Sequence, residues 1–258
     1  MKIRAKTFIT NNYFLYTLGI VFIFLLWLFL SNALGKASLI IPSPIETFKV
    51  FGELFVSKYT WESIGWTLLR TLIGFGIAFI AAFILGIIGG NNKHVYTFLK
   101  PLIAVLKSIP TAALVFLFLI LSGSRFAPTY IVFLLSFPIL YESIAGGIKS
   151  IPQEINESLR LESNSIIRPI VQVRIPLAMP YIIVGLASSF ALSLKTEIMA
   201  EIITGDTNYG LGSMISAYRT IDPSDLTPIF AIALIALIII LITDVIGMII
   251  NKVIKIDE

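Results

Sequence analysis

"EINESLRLESNSIIRPIVQVRIPLAMP" runs from Glu154 to Pro180. Its first half carries charge on both sides of a helical stripe. Ile155, Leu159 and Ile166 fall at helical spacing, with Glu154, Glu157, Arg160 and Glu162 around them. The pattern predicts an amphipathic helix over 153–168, closed by Pro169, because the residue before a proline disfavours the helical region. Pro176 and Pro180 are expected to break the chain again before the next apolar run. Long runs with few charges lie on either side. The stretch therefore raises a question: why does a chain suited to lipid keep a polar helix between two apolar segments?

The surrounding sequence is that of a membrane protein. The chain has 258 residues, 57% hydrophobic and 13% charged, with a mean hydropathy of +0.94. A soluble domain carries about 25% charged residues. Crossing the hydrocarbon core takes about 20 residues of helix, and six segments qualify: 14–34, 64–89, 98–121, 128–148, 178–203 and 226–250. An all-α integral membrane protein with a single transmembrane domain over 1–258 is expected. The first run is too long for a signal-peptide core and lacks a clear cleavage site, so it reads as a retained anchor.

Orientation follows from the basic residues. With the N-terminus inside, eleven of the 19 Lys and Arg residues fall in inward segments and five in outward ones. That bias puts both termini, and the opening stretch, in the cytoplasm. It also accounts for the net charge of +4 without a nucleic-acid partner. There is no cysteine, which removes disulfides and thiolate metal sites. His94 stands without a second histidine nearby, so no metal site is expected.

Two outward pieces have helical character. "SPIETFKVFGELF" (Ser43 to Phe55) begins with Ser43 before Pro44 and has Glu46 in its first turn. Its apolar Ile45, Phe48, Phe51 and Leu54 are three apart, which suits a helix lying on the membrane surface. "NYGLGSMISAYRTID" (Asn208 to Asp222) is short and punctuated by glycine, and a shallow returning helix fits it.

The polar stretch resembles the cytoplasmic motif of binding-protein-dependent ABC importer permeases. That motif reads Glu-Ala-Ala, three residues, Gly, nine residues, Ile, any residue, Leu-Pro. Here Glu157, Ser158 and Leu159 occupy the first triplet, Ser163 the glycine, Val173 the isoleucine, and Ile175 with Pro176 the final pair. The spacing matches throughout, while Ser, Leu and Ser replace Ala, Ala and Gly. "IIPSPIETF", "SIGWTLLRTLIGFGIAF", "LKSIPTAALVFLFLILSG" and "AEIITGDTNYGLGSMI" resemble segments of the nitrate, sulfonate and taurine branch, so the likeness spans roughly residues 40 to 250.

The resemblance implies a type I importer fold in the bacterial cytoplasmic membrane. It implies a coupling helix seated in a groove of a cytoplasmic ATPase subunit, an extracytoplasmic solute-binding protein, and a second permease copy. It implies no cofactor on this chain, ATP being used by the partner subunits. Consistently, "GGNNK" at Gly89 to Lys93 lacks the Gly-Lys-Ser/Thr ending of a phosphate-binding loop, and no enzyme motif is present. An ion- or proton-coupled secondary transporter is the alternative reading, in which a membrane carboxylate such as Glu142 serves the coupling. That alternative leaves the motif spacing unexplained.

Charges inside spans cost about 2.5–3.5 kcal/mol each at the membrane centre on insertion scales. Lys107, Glu142, Lys195, Glu197 and Glu201 are such residues, as is Arg70. Each admits two readings: structural pairing between helices, or a place on the translocation pathway. Lys195 and Glu197, two apart, point to different helix faces. Gly74, Gly76, Gly86, Gly89 and Gly90 are positioned to let helices approach closely. Pro110 and Pro138 are expected to interrupt the third and fourth spans.

Overall fold

The computed structural model describes residues 12–33, 41–162, 167–205 and 209–256. Every regular element among them is helical: α1 (Asn12–Ala33), α2 (Pro44–Val56), α3 (Lys58–Asn91), α4 (Lys93–Ser108), α5 (Thr111–Ser122), α6 (Ala127–Lys149), α7 (Gln153–Glu162), α8 (Ile167–Thr204), α9 (Leu211–Ile221) and α10 (Thr227–Ile256). Among the described residues, five helices are long and apolar enough to cross a membrane, and the pair α4 and α5 supplies a sixth if counted as one bent span.

That pair departs from the straight third span expected over 98–121. The two helices meet at an angle of 94°. The cause is local. Pro110 has no N–H to continue the ladder, and it holds Ile109 in an extended conformation, at φ −71° and ψ 127°. Pro138, expected to interrupt the fourth span, is instead carried inside α6, as Pro101 is in α4 and Pro180 in α8.

The polar stretch also divides differently from the expectation. Pro169 does not close the amphipathic helix. Helical structure continues past it through Ile170–Arg174; α7 is described to Glu162 and α8 from Ile167, and residues 163–166 lie outside the described residues. Ile170–Arg174 form a wider π turn, with Ile175 N–H bonded to Ile170 O, just before Pro176. Such single wide turns absorb an irregularity without ending a helix, so Pro176 and Pro180 do not break the chain.

The structure divides into two compact units. The first comprises the chain up to Ser57 and residues 218–235. Here Ser43 accepts a bond from Glu46 N–H (3.2 Å) and donates to its carboxylate (2.9 Å), a reciprocal cap that starts α2 where the sequence predicts. Trp27 of α1 stacks beside Phe230 and Phe48 and donates through Nε1 to Pro42 O at 3.1 Å. Residues 14–26 of α1 expose their side chains, as a helix in lipid does. In the turn before α10, Ser224 donates to Asp222 through both Oγ and N–H, which lowers the Asp222 pKa.

The second unit, residues 58–217 and 236–258, is built on α3, α6 and α8. Its core contains Ala78, Ala82, Leu140, Tyr141, Ile144, Ala145, Ile148, Ala178 and Ile182. Helix α3 turns a ladder of small residues toward α6, with Gly74, Ala78, Ala82, Gly86 and Gly90 spaced by four. A β-carbon at Gly86 would lie 2.9 Å from Ile144 Cβ, and one at Gly90 2.7 Å from Ile148 Cβ. In lipid, such close backbone approach is what holds helices together. Ser136 and Ser193 add a buried hydrogen bond of 2.6 Å between α6 and α8.

Candidate functional site: the polar helix and the intramembrane charges

Helix α7 follows α6 after the short connection Ser150–Pro152. Glu154, Glu157 and Ser158 are exposed and share one helical face, while Ile155, Asn156 and Leu159 are half-buried. Asn156 holds the helix start by donating to Pro152 O at 3.3 Å. Ser158 Oγ donates only within its own helix, to Glu154 O at 3.0 Å. Beyond the helix, Ile175 is half-buried and Pro176 exposed. Ser163 lies outside the described residues. Glu157, Asn156 and Gln153 also line a cleft of about 410 Å³ with Asn91, Lys149 and Arg174. The Arg174 guanidinium donates to Asn91 Oδ1, tying the start of α8 to the end of α3. A displayed polar helix thus follows directly on α6, beside a tie between the ends of α3 and α8.

The intramembrane charges fall into separate groups. Glu201 is fully buried. Arg70 Nη1 donates to its Oε1 at 3.0 Å, Thr67 Oγ1 lies within 3.1 Å of both oxygens, and Gly212 N–H reaches Oε2 at 3.0 Å. Arg70 also donates to Tyr209 O at 2.8 Å, and Leu211 N–H donates to Thr67 Oγ1 at 2.9 Å. One carboxylate therefore binds the "YGLG" segment to both α3 and α8. Gly210, at φ 150°, is needed here: a β-carbon on it would lie 2.5 Å from Glu201 Oε1.

Glu197, one turn earlier, is also fully buried, and neither of its oxygens has a hydrogen-bond partner among the described residues. Lys195 is exposed on another face of α8. Lys107 and Glu142 meet across α4 and α6 at 2.6 Å, each with 47% of its side chain exposed. Of the five charges singled out from the sequence, Glu201 is thus enclosed in a network, Lys107 and Glu142 form a pair on an open face, and Lys195 and Glu197 take part in neither arrangement. Sequence reasoning missed Thr67 and the Tyr209 carbonyl. The only available sign was that Thr67 and Arg70, three apart, share a face of α3. Among the described residues, no group of three or more His, Asp or Glu residues is placed to hold a metal ion.

Residues 78–256 match the family described as binding-protein-dependent transport system inner membrane component. The chain belongs to that family. It is a component of a transport system of the inner membrane, and α7 lies inside the matched region. The chain is 29% identical over 226 residues to the nitrate import permease protein NrtB of Leptolyngbya laminosa, covering 83% of this chain and 79% of that one. It is 32% identical over 169 residues to the bicarbonate transport system permease protein CmpB of Synechococcus elongatus, covering 64% and 60%. It is 30% identical over 189 residues to the putative aliphatic sulfonates transport permease protein SsuC of Escherichia coli, covering 73% and 72%. In fold, this permease resembles an inward-facing structure of the MetNI methionine ABC transporter, with a TM-score of 0.62 at 16% identity over 76% of this chain and 94% of that one.

Proposed function

We propose that this chain is the membrane-spanning permease subunit of an ATP-binding-cassette importer, with both termini in the cytoplasm. It works as one of a pair, takes solute from an extracytoplasmic binding protein and passes motion from cytoplasmic ATPases through α7. The observation that carries this reading is the exposed face of Glu154, Glu157 and Ser158 on a helix joined to α6 by only three residues. A rigid connector of this kind moves with its spans when a partner pulls on it, and charged flanks fix its register in that partner. The cargo we assign is a small oxyanion, in keeping with the nitrate, bicarbonate and sulfonates named for three relatives.

A photo-crosslinking amino acid at Glu157, in cells making the cognate ABC ATPase, tests the reading. Capture of the ATPase at Glu157, but not from an exposed lipid-facing site such as Ile80, is expected. Equal capture from both sites, or from neither, contradicts it.

A further inference from the structure

Helix α4 carries Lys93, Lys100 and Lys107 at a spacing of seven. Seven residues are close to two helical turns, so the three ammonium groups lie on one stripe about 21 Å long. All three are exposed. Thr97, Ala104 and Ser108, which fall between and beside them on the same stripe, are exposed too. Leu99 and Ile103 are buried in the bundle core instead. A face of small and basic side chains in the membrane region is unsuited to hydrocarbon, where an ammonium loses its hydration without replacement.

The membrane-embedded end of the stripe opens on a cleft of about 310 Å³ lined by Lys100, Ala104, Lys107, Tyr141 and Glu142. One feature marks it as a place for an anion: Lys107 is already engaged there by a carboxylate, Glu142, at 2.6 Å, so its ammonium is set to hold an anionic oxygen. The Tyr141 hydroxyl lies away from solvent, against Gly89 of α3, where a β-carbon would lie 2.5 Å from it.

We propose that the Lys93–Lys100–Lys107 stripe is the anion-conducting wall of the translocation pathway on this chain, with Lys107 as its stopping point. An arriving oxyanion replaces the Glu142 carboxylate on Lys107, so the ammonium trades one charge-assisted hydrogen bond for another. Closure of Lys107 back onto Glu142 then releases the anion toward Lys100 and Lys93. The proposal rests on the importer reading above and adds to it the wall along which the solute moves.

The test uses the assembled transporter, permease with ATPase, in vesicles of phosphatidylcholine. One cysteine replaces Ala104, in a chain that has none of its own. The probes are a negatively and a positively charged methanethiosulfonate applied from the cytoplasmic side, each rate normalised to that with a free thiol. Ala104→Cys is expected to react at least about tenfold faster with the anionic probe, the enrichment a basic cleft gives its counter-ions. Lys100→Gln with Lys107→Gln is expected to erase that preference. No reaction with either probe, equal rates, or a preference that survives loss of both lysines overturns the proposal. Anionic phosphatidylglycerol in the vesicles is expected to leave the labelling unchanged. If it blocks labelling, the stripe holds lipid phosphate and the pathway assignment is overturned. Retention of the ATPase is scored in the same preparation. Its loss with the otherwise unaltered chain contradicts the importer reading, whereas a retained ATPase with equal probe rates contradicts the stripe alone.

Discussion

A carboxyl group enclosed away from water carries a charge at low cost only when cations and donors surround it. Glu201 meets this condition through Arg70, Thr67 and the Gly212 N–H. Removing the cation strands the anion, and breaking a buried pair from one side costs about 3–5 kcal/mol. Arg70→Met should therefore lower the melting temperature of the purified protein sharply. Glu201→Gln should lower it less, because the amide oxygen still accepts from Thr67 and Gly212 while Arg70 keeps the Tyr209 carbonyl. Equal losses in a thermal unfolding assay would show that the charge balance is not what matters. Arg70 was legible in the sequence as a partner for a membrane carboxylate, since few cations lie in the spans. Which carboxylate it meets was not legible, because the pair is separated by 131 positions and both acids of α8 were available to it. Thr67 was silent for another reason: hydroxyl side chains are common in membrane helices, where they bond to their own backbone, as Thr71 does to Thr67 O.

Helices were read where composition alone settles them, and misread where backbone chemistry competes with it. The apolar runs gave α1, α3, α6, α8 and α10 because a span is long and its signal is repeated at every residue. The 98–121 run has the same composition, yet Pro110 and its effect on Ile109 divide it into α4 and α5. Pro169 shows the opposite error: expected to end a helix, it is followed by continuing helical structure through Ile170–Arg174 and the rest of α8. The ladder of small residues on α3 carries a separate expectation. Gly86→Val would press branched methyl groups into Ile144, and overpacking of this kind costs about 1–3 kcal/mol. Gly76, on the same helix, faces open space, with nothing within 4 Å of where a β-carbon would sit, so Gly76→Ala should be neutral. Comparing the yields and melting temperatures of the two variants checks the ladder: similar losses in both would contradict it.

At the scale of the whole molecule, the described residues are mostly helices long and apolar enough to span a membrane, with the polar helix α7 among them. The class of the chain was legible because membrane composition is a bulk property, and the register of the polar stretch from Glu157 to Pro176 needs only the sequence. The open faces were not legible, since exposure of the Lys107 and Glu142 pair depends on how α4 and α6 pack. The central claim is that α7 couples this chain to an ATPase, and Ser158 tests it most directly. Its side chain is exposed and bonds only to its own helix, so the chain itself has room for a longer residue there. Ser158→Arg should insert in the membrane and melt at the wild-type temperature. In a docked groove, however, the added guanidinium would be an unpaired buried charge, a cost of several kcal/mol. The decisive measurement is co-purification of the ATPase with Ser158→Arg, taken together with ATP-driven uptake in the same cells. The account predicts that both fall at least about tenfold while membrane insertion is unchanged. Wild-type co-purification and uptake would mean that α7 is a surface helix, and would contradict the coupling role.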